Sequence, residues 1–179
     1  MSTRFLKHLL VLLTLGLISL AGCSSNNIGN VPADFSFVMD VSSAEDLADC
    51  PVNINIRIDA RGRGQYDYYD TECAIVYDTN HIVTYKQGQI LKSGELKLSA
   101  VELEGLWNAI EQNNFFGLTE DYRMEMGFSY AFIMVEANGQ THIVDNIGME
   151  IPEMRAMVEA TNALMPEDVS LEYGEGFNP

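Results

Sequence analysis

The sequence predicts an α+β domain in which an antiparallel sheet of hairpins carries two helices packed on one face. Segments in which apolar and polar residues alternate follow one another at short turns, and strands joined in this way must be antiparallel. Two longer segments have an apolar stripe on one side only, which is typical of helices that cover an apolar sheet face. The length of 179 residues suits one ordinary domain.

The composition excludes two broad classes of protein. An apolar share of 47% is too high for an intrinsically disordered chain. The chain has 10 Lys and Arg against 26 Asp and Glu, which gives a formal charge of −16. Because nucleic-acid-binding surfaces are basic, this charge argues against a nucleic-acid partner.

Residues 1–22 are typical of a secretory signal peptide. Arg4 and Lys7 form a basic start, and an apolar run follows at residues 9–20. That run of about 12 residues is shorter than the roughly 20 that a membrane-spanning helix needs, so a transmembrane anchor is the weaker interpretation.

The end of this segment resembles the lipobox of bacterial lipoproteins, through the sequence Leu20-Ala21-Gly22-Cys23. The resemblance implies that Cys23 becomes the first residue of the mature chain and carries a diacylglyceryl group, with fatty acids such as palmitate. The alternative is an ordinary signal peptide cleaved before a chance cysteine. In Gram-negative lipoproteins, a residue such as Ser24 in place of Asp favours the outer membrane, facing the periplasm or the exterior.

The remaining chain divides into a flexible tether at 23–34, one α+β domain at 35–166 and an acidic tail at 167–179. Removal of residues 1–22 takes away the two basic residues Arg4 and Lys7 and no acidic residue, so the formal charge falls from −16 by two to −18. Anionic lipid head groups repel such a body. We therefore expect the domain to be held at the membrane by a covalent lipid, through a short flexible tether.

The first part of the domain is predicted to be strands. Phe35, Phe37, Met39 and Val41 alternate with more polar residues, and residues 52–60 alternate most regularly of all before a turn at 61–64. Further short strands are predicted at 65–70, 73–77, 81–86, 89–92 and 95–98.

The second part combines two helices and a hairpin. Ser99 and Glu102 form a capping box before a helix whose apolar face consists of Leu103, Leu106, Trp107 and Ile110. Strands at 128–137 and 140–147 flank Asn138-Gly139, a strong hairpin signal. The last helix begins near Pro152, carries a methionine-rich stripe expected to lie in the core, and stops at Pro166.

The three cysteines have separate expected roles. With Cys23 assigned to lipid, Cys50 and Cys73 remain as an even pair in an oxidising compartment, which favours a disulfide over two buried thiols. Neither belongs to a C-x-x-C motif, which both thioredoxin-like disulfide exchange and a zinc knuckle require, so neither function is predicted.

Tyrosines supply the candidate binding surface. Tyr66 and Tyr68 share one face of a predicted strand, and Tyr69 lies on the other. Tyrosine is favoured at recognition surfaces, but it is also a good strand former, so burial in the core is the competing interpretation.

No motif in the sequence predicts catalysis or a cofactor. The G-x-S-x-G, H-E-x-x-H and P-loop patterns do not occur. His81 and His142 lack ligand-spaced partners and are expected to be solvated on strand faces, so no metal is predicted. Asp67, Asp70, Glu72 and Asp78 would suit weak Ca²⁺ binding, but solvated acidic loops explain them equally well, and their spacing is not that of an EF-hand.

The domain resembles a family of unknown function that is common in bacterial lipoproteins and secreted proteins. The resemblance covers roughly residues 46–165 and rests on Cys50-Pro51-Val52, Asn114-Phe115-Phe116-Gly117-Leu118, Tyr122 and the hairpin at Asn138-Gly139. The hairpin region around Cys73 departs from that family. A weaker similarity, through Phe115-Phe116, Ser129-Tyr130 and the same hairpin, is to small inhibitors of thermolysin-like metalloproteases.

The sequence therefore predicts a lipid-anchored, non-enzymatic binding or accessory domain of the bacterial cell envelope. Its expected partners are the membrane, through the lipid, and an envelope protein. The alternative is a protease-inhibitor-like domain directed at thermolysin-like metalloproteases.

Overall fold

A computed structural model describes residues 29–43, 52–77, 83–123, 130–147 and 151–169 of the chain. The strands are β1 (Ser36–Ser43), β2 (Val52–Asp59), β3 (Arg63–Tyr77), β4 (Val83–Lys97), β5 (Asp121–Arg123), β6 (Tyr130–Ala137) and β7 (Gln140–Ile147). The helices are α1 (Ala100–Gln112) and α2 (Pro152–Asn162), with a short 3₁₀ turn at Phe115–Gly117. The expected α+β class is confirmed.

The seven strands form one mixed sheet in the order β4-β3-β2-β1-β6-β7-β5. All neighbouring pairs are antiparallel except β5 and β7, which are parallel. The expectation of a purely antiparallel sheet is therefore wrong at this edge. Tight turns force antiparallel pairing only between strands that follow each other directly, whereas the chain passes through β6 between β5 and β7.

Alternation along the strands divides the sheet into two faces. On β1 the buried residues are Phe37, Met39 and Val41, and their partners on β2 and β6 are buried as well. One core cluster unites these inward residues with the apolar stripes of both helices: Phe37, Met39, Ile54, Ile56, Ile133, Val135, Leu103, Leu106, Trp107, Ile110, Met154 and Met157. The predicted burial is confirmed for the stripe of α1 and for Met154, Met157, Val158 and Thr161 of α2, whereas Leu164 and Met165, which follow α2, are half-buried.

The tyrosine-rich region forms two long strands instead of several short ones. β3 and β4 each contain 15 residues and pair with each other along most of their length, with irregular register at three points. The apparent breaks in alternation reflect these register shifts, because a bulge changes which residues face the core without ending the strand. The turn between β2 and β3 depends on Gly62, which has a φ of +70°.

Two local signals in the second part of the chain act as predicted, although the last helix ends at Asn162 and not at Pro166 and β5 was not predicted. The Ser99 hydroxyl accepts from the Glu102 backbone N–H at 3.3 Å, and the Glu102 carboxylate accepts from the Ser99 N–H at 2.7 Å. Asn138 and Gly139 have φ of 54° and 71°, as the turn between β6 and β7 requires. The capping box and the Asn-Gly hairpin are both confirmed.

Residues before β1 are part of the packed structure. Val31, assigned above to the tether, is 2% exposed and belongs to the core cluster. The Asp34 carboxylate accepts from the backbone N–H groups of Asn138 and Gly139 at 2.9 and 2.6 Å. These hydrogen bonds hold the pKa of Asp34 below its ordinary value. Val169, in the segment assigned to the tail, is also buried.

Several sequence predictions fall outside the described residues. They concern the signal peptide at 1–22, Cys23, Cys50, His81, the connection at 44–49 and the tail from 170 onward. Cys73 lies within β3, but its side chain is not described, so the disulfide stays a prediction.

Asn146 is an isolated polar side chain on the core side of β7. It is 0% exposed, and neither its amide nitrogen nor its amide oxygen has a hydrogen-bond partner among the described residues. A buried polar group without a partner costs about 1–3 kcal/mol. We therefore expect Asn146→Leu, which is close to isosteric, to raise the free energy of unfolding by about 1–2 kcal/mol in urea denaturation.

The charged substitution Asn146→Asp provides the matched comparison. It adds a carboxylate at the same buried position and should lower the stability, because an unpaired buried charge costs more than a neutral amide. A leucine variant less stable than the native protein would show that the amide makes a favourable contact.

Candidate binding face

The second face of the sheet, opposite the core, contains a half-buried carboxylate, Asp40, surrounded by amide and aromatic side chains. We call it the outer face; it comprises the strand residues that alternate with the core residues. Its central positions are Val38, Asp40, Asn53, Asn55, Arg57, Asp67, Tyr69, Tyr130, Phe132, Met134, Ile143 and Asp145.

Strand register arranges these side chains in rows that cross the sheet. One row runs Asp67, Asn55, Asp40, Phe132 and Asp145. The row on one side of it includes Tyr69, Asn53 and Tyr130, and the row on the other side includes Arg57, Val38, Met134 and Ile143. Asp40 therefore lies at the centre of the face, with carboxylates at both ends of its own row.

Asp40 is held by two neighbours from adjacent strands. The Tyr69 hydroxyl donates to both carboxylate oxygens, at 3.1 and 3.2 Å, and Asn55 Nδ2 donates at 3.4 Å. Burial raises the pKa of Asp40 above its ordinary value, while the hydrogen bonds from Tyr69 and Asn55 act in the opposite direction. The group is thus a half-buried carboxylate supported by neutral donors.

Two tyrosines flank this carboxylate. Burial, and then the negative charge of Asp40 and the hydrogen bond to it, raise the pKa of Tyr69 to about 12. Burial and the charges of Asp145 and Asp40 raise the pKa of Tyr130 far above its ordinary value. Both phenols are therefore protonated at neutral pH, as an ordinary tyrosine is, and each can donate a hydrogen bond.

Asn53 and Asn55 complete the polar set. The Arg57 guanidinium donates through Nε to Asn55 Oδ1 at 3.2 Å. A hydrogen bond with the Asn53 side chain lowers the pKa of Tyr69, which places that amide beside the hydroxyl bound to Asp40. Asn53 is only 7% exposed, and its Oδ1 has no hydrogen-bond partner among the described residues.

The tyrosines singled out in the sequence lie in different environments. Tyr66 is 4% exposed within the core cluster, where its ring lies against Gly94, and Tyr68 packs on that cluster from a half-buried position. Tyr69 alone of the three belongs to the outer face. The predicted division of the three between two faces is confirmed, whereas their use in binding stays a prediction.

The histidine and the acidic residues considered as metal ligands do not come together in one site among the described residues. His142, expected to be solvated, lies on the core side, where its Nε2 is 3.1 Å from the Leu118 carbonyl oxygen and its ring is 5.3 Å from that of Phe115. Of the acidic residues considered for Ca²⁺, only Asp67 has a described side chain. Within the described ranges, no group of three or more His, Cys, Asp or Glu side chains could hold a metal ion.

Sequence reasoning missed Asp40, Asn53, Asn55 and Tyr130 as a group. Each occupies a polar or alternating strand position that looks solvent-facing in isolation. They converge because β1 lies between β2 and β6 in the sheet, and no local signal specifies that order. The available hint was a single acidic residue, Asp40, in a strand whose alternate residues are apolar.

Among the described helices, none combines the length and the apolar character needed to cross a membrane. No protein-family model matches this sequence, and no curated protein matches it.

Proposed function

We propose that this chain is a lipid-anchored, non-enzymatic binding protein of the bacterial cell envelope. A diacylglyceryl group on Cys23 holds it to the outer membrane, with the folded domain facing the periplasm or the exterior. The outer face of the sheet contacts a protein partner in that compartment.

The observation that carries the binding role is the environment of Asp40. Its carboxylate is half-buried and supported by Tyr69 and Asn55, and the phenols of Tyr69 and Tyr130 both stay protonated. Pre-placed donors, acceptors and aromatic surface on rigid strands favour recognition, since little conformational entropy is lost when a partner binds.

We also infer that α1 and α2 cover the same face of the sheet. Residues of both helices share one core cluster with the inward residues of β1, β2 and β6, and the two helices contact each other. The outer face is then the side without these two helices, and its exposed residues Arg57 and Ile143 are accessible to a partner, whereas Tyr69 and Asn53 are buried.

The anchor is supported by the lipobox-like sequence and by the charge of the domain. Each buried acyl CH₂ contributes about 0.8 kcal/mol, so two or more chains anchor a protein durably where one does not. The strongly acidic body is repelled by anionic lipids and needs such an anchor to remain at a membrane.

The test is the substitution Cys23→Ala in the full chain, expressed in a Gram-negative host. We expect the native protein to sediment with the membranes and the Cys23→Ala protein to lose that association almost completely, as measured by ultracentrifugation and immunoblotting. The matched control is Cys50→Ala, which removes a different cysteine and should remain with the membranes. Retention of the Cys23→Ala protein in the membrane fraction would overturn the proposed anchor.

A further inference from the structure

We propose that the outer face binds a lysine-bearing, amphipathic segment of a partner protein, with the lysine ammonium group against Asp40 and apolar side chains on Met134 and Ile143. This inference rests on the proposed function and deepens it, because it specifies the chemistry of the partner. The anchor is a covalent modification and this contact is non-covalent binding, so each can fail without the other.

The centre of the outer face has more hydrogen-bond acceptors than donors. An ionised carboxylate offers about four acceptor positions. Among described side chains, Asp40 accepts only from Tyr69 and Asn55. Beside it, the buried Oδ1 of Asn53 has no partner among the described residues, although such an atom costs about 1–3 kcal/mol when left unpaired. A ligand that brings N–H donors would fill the remaining acceptor positions of Asp40, the more accessible of the two groups.

The ligand that fits these acceptors is a cation. An ammonium group has three donors and no acceptor, and it complements a half-buried carboxylate in charge. Aromatic residues border the carboxylate: Phe132 is the cross-strand partner of Asp40, and Tyr130 is the next outward residue on β6. Aromatic rings favour an adjacent cation by about 0.5–1 kcal/mol at exposed sites and more where water is excluded.

The adjoining row explains why the cation should belong to an amphipathic segment. Val38, Met134 and Ile143 are register neighbours on β1, β6 and β7, and Ile143 is 38% exposed. These apolar residues lie one row away from a row that contains the carboxylates of Asp67, Asp40 and Asp145, and Arg57 occupies the β2 position of the apolar row. A partner that alternates basic and apolar side chains matches both rows, and the net charge of −16 attracts it.

The experiment titrates the full chain, held in detergent, with a short capped peptide of alternating lysine and leucine, by calorimetry. We expect saturable binding to the native protein and a loss of at least about tenfold in affinity for Asp40→Asn, because one partner of a partly buried charge pair is removed. The control Glu111→Gln removes an exposed carboxylate on α1, away from the outer face, and should bind as the native protein does. The same peptide with acetylated lysines should bind at least about tenfold more weakly.

A second measurement uses only the native protein and locates the contact. On addition of the peptide, the backbone amide NMR signals that shift should be those of β1, β2 and β6. No saturable binding, equal affinity for Asp40→Asn and native protein, equal binding of the acetylated peptide, or shifts confined to the helices would each overturn the proposal. Such a result with normal membrane association of the native chain would leave the Cys23 anchor standing.

Discussion

Replacing Phe37 by alanine should lower the free energy of unfolding by about 4 kcal/mol. Phe37 is 0% exposed, and it lies on β1, between Ile58 of β2 and Val135 of β6. Removal of a buried phenylalanine ring loses its transfer free energy and leaves a cavity that rigid neighbouring strands cannot fill. Urea denaturation followed by far-UV circular dichroism measures the difference.

Phe132→Ala is the matched control, since it makes the same chemical change on the outer face. Phe132 is half-buried beside Asp40, so we expect its loss to cost no more than about 2 kcal/mol. Equal losses for the two variants would contradict the division of the sheet into a core face and an outer face.

The substitution Gly62→Ala should lower the free energy of unfolding by about 3 kcal/mol, the sum of backbone strain and a steric clash. Gly62 has a φ of +70°, which costs an alanine about 1–2 kcal/mol. A Cβ atom there would lie 2.8 Å from the backbone oxygen of Leu98. The backbone N–H of Leu98 donates to the Gly62 carbonyl at 2.8 Å. Leu98 therefore cannot move away from the new Cβ atom without breaking that hydrogen bond.

Gly139→Ala separates the two contributions. Gly139 has a nearly identical φ of +71°, but a Cβ atom there meets nothing within 4 Å. We expect this variant to lose only the strain, about 1 kcal/mol, in the same denaturation experiment. A Gly62→Ala protein no less stable than Gly139→Ala would show that the contact with Leu98 does not determine the turn.

Local elements of this fold were predictable because their causes lie within a few residues. The Ser99 and Glu102 cap, the apolar stripe of α1 and the Asn138-Gly139 turn each depend on neighbours in sequence. The length of β3 and β4 was not predictable, because bulges interrupt the alternation while pairing continues. The parallel pairing of β5 with β7 was also missed, since β5 has only three residues and its partner residues lie more than 20 positions later in the sequence.

The candidate site was harder to foresee than the fold. The sequence placed Tyr69 on the opposite strand face from Tyr66 and Tyr68. Asp40 attracted no attention, because many strands carry an acidic residue on their solvent-facing side. Its significance follows from Tyr69 of β3, Asn55 of β2 and Phe132 of β6, which the sheet order brings around it. Nonlocal strand order is set by the packing of the whole core, and single-sequence patterns do not contain it.

Intact-mass spectrometry of the protein extracted from membranes tests the proposed anchor most directly. We expect a mature chain that begins at Cys23 and carries a diacylglyceryl group on the sulfur, with the mass increment of its fatty acids. An unmodified Cys23 thiol, or a membrane-bound chain that retains residues 1–22, would contradict the account.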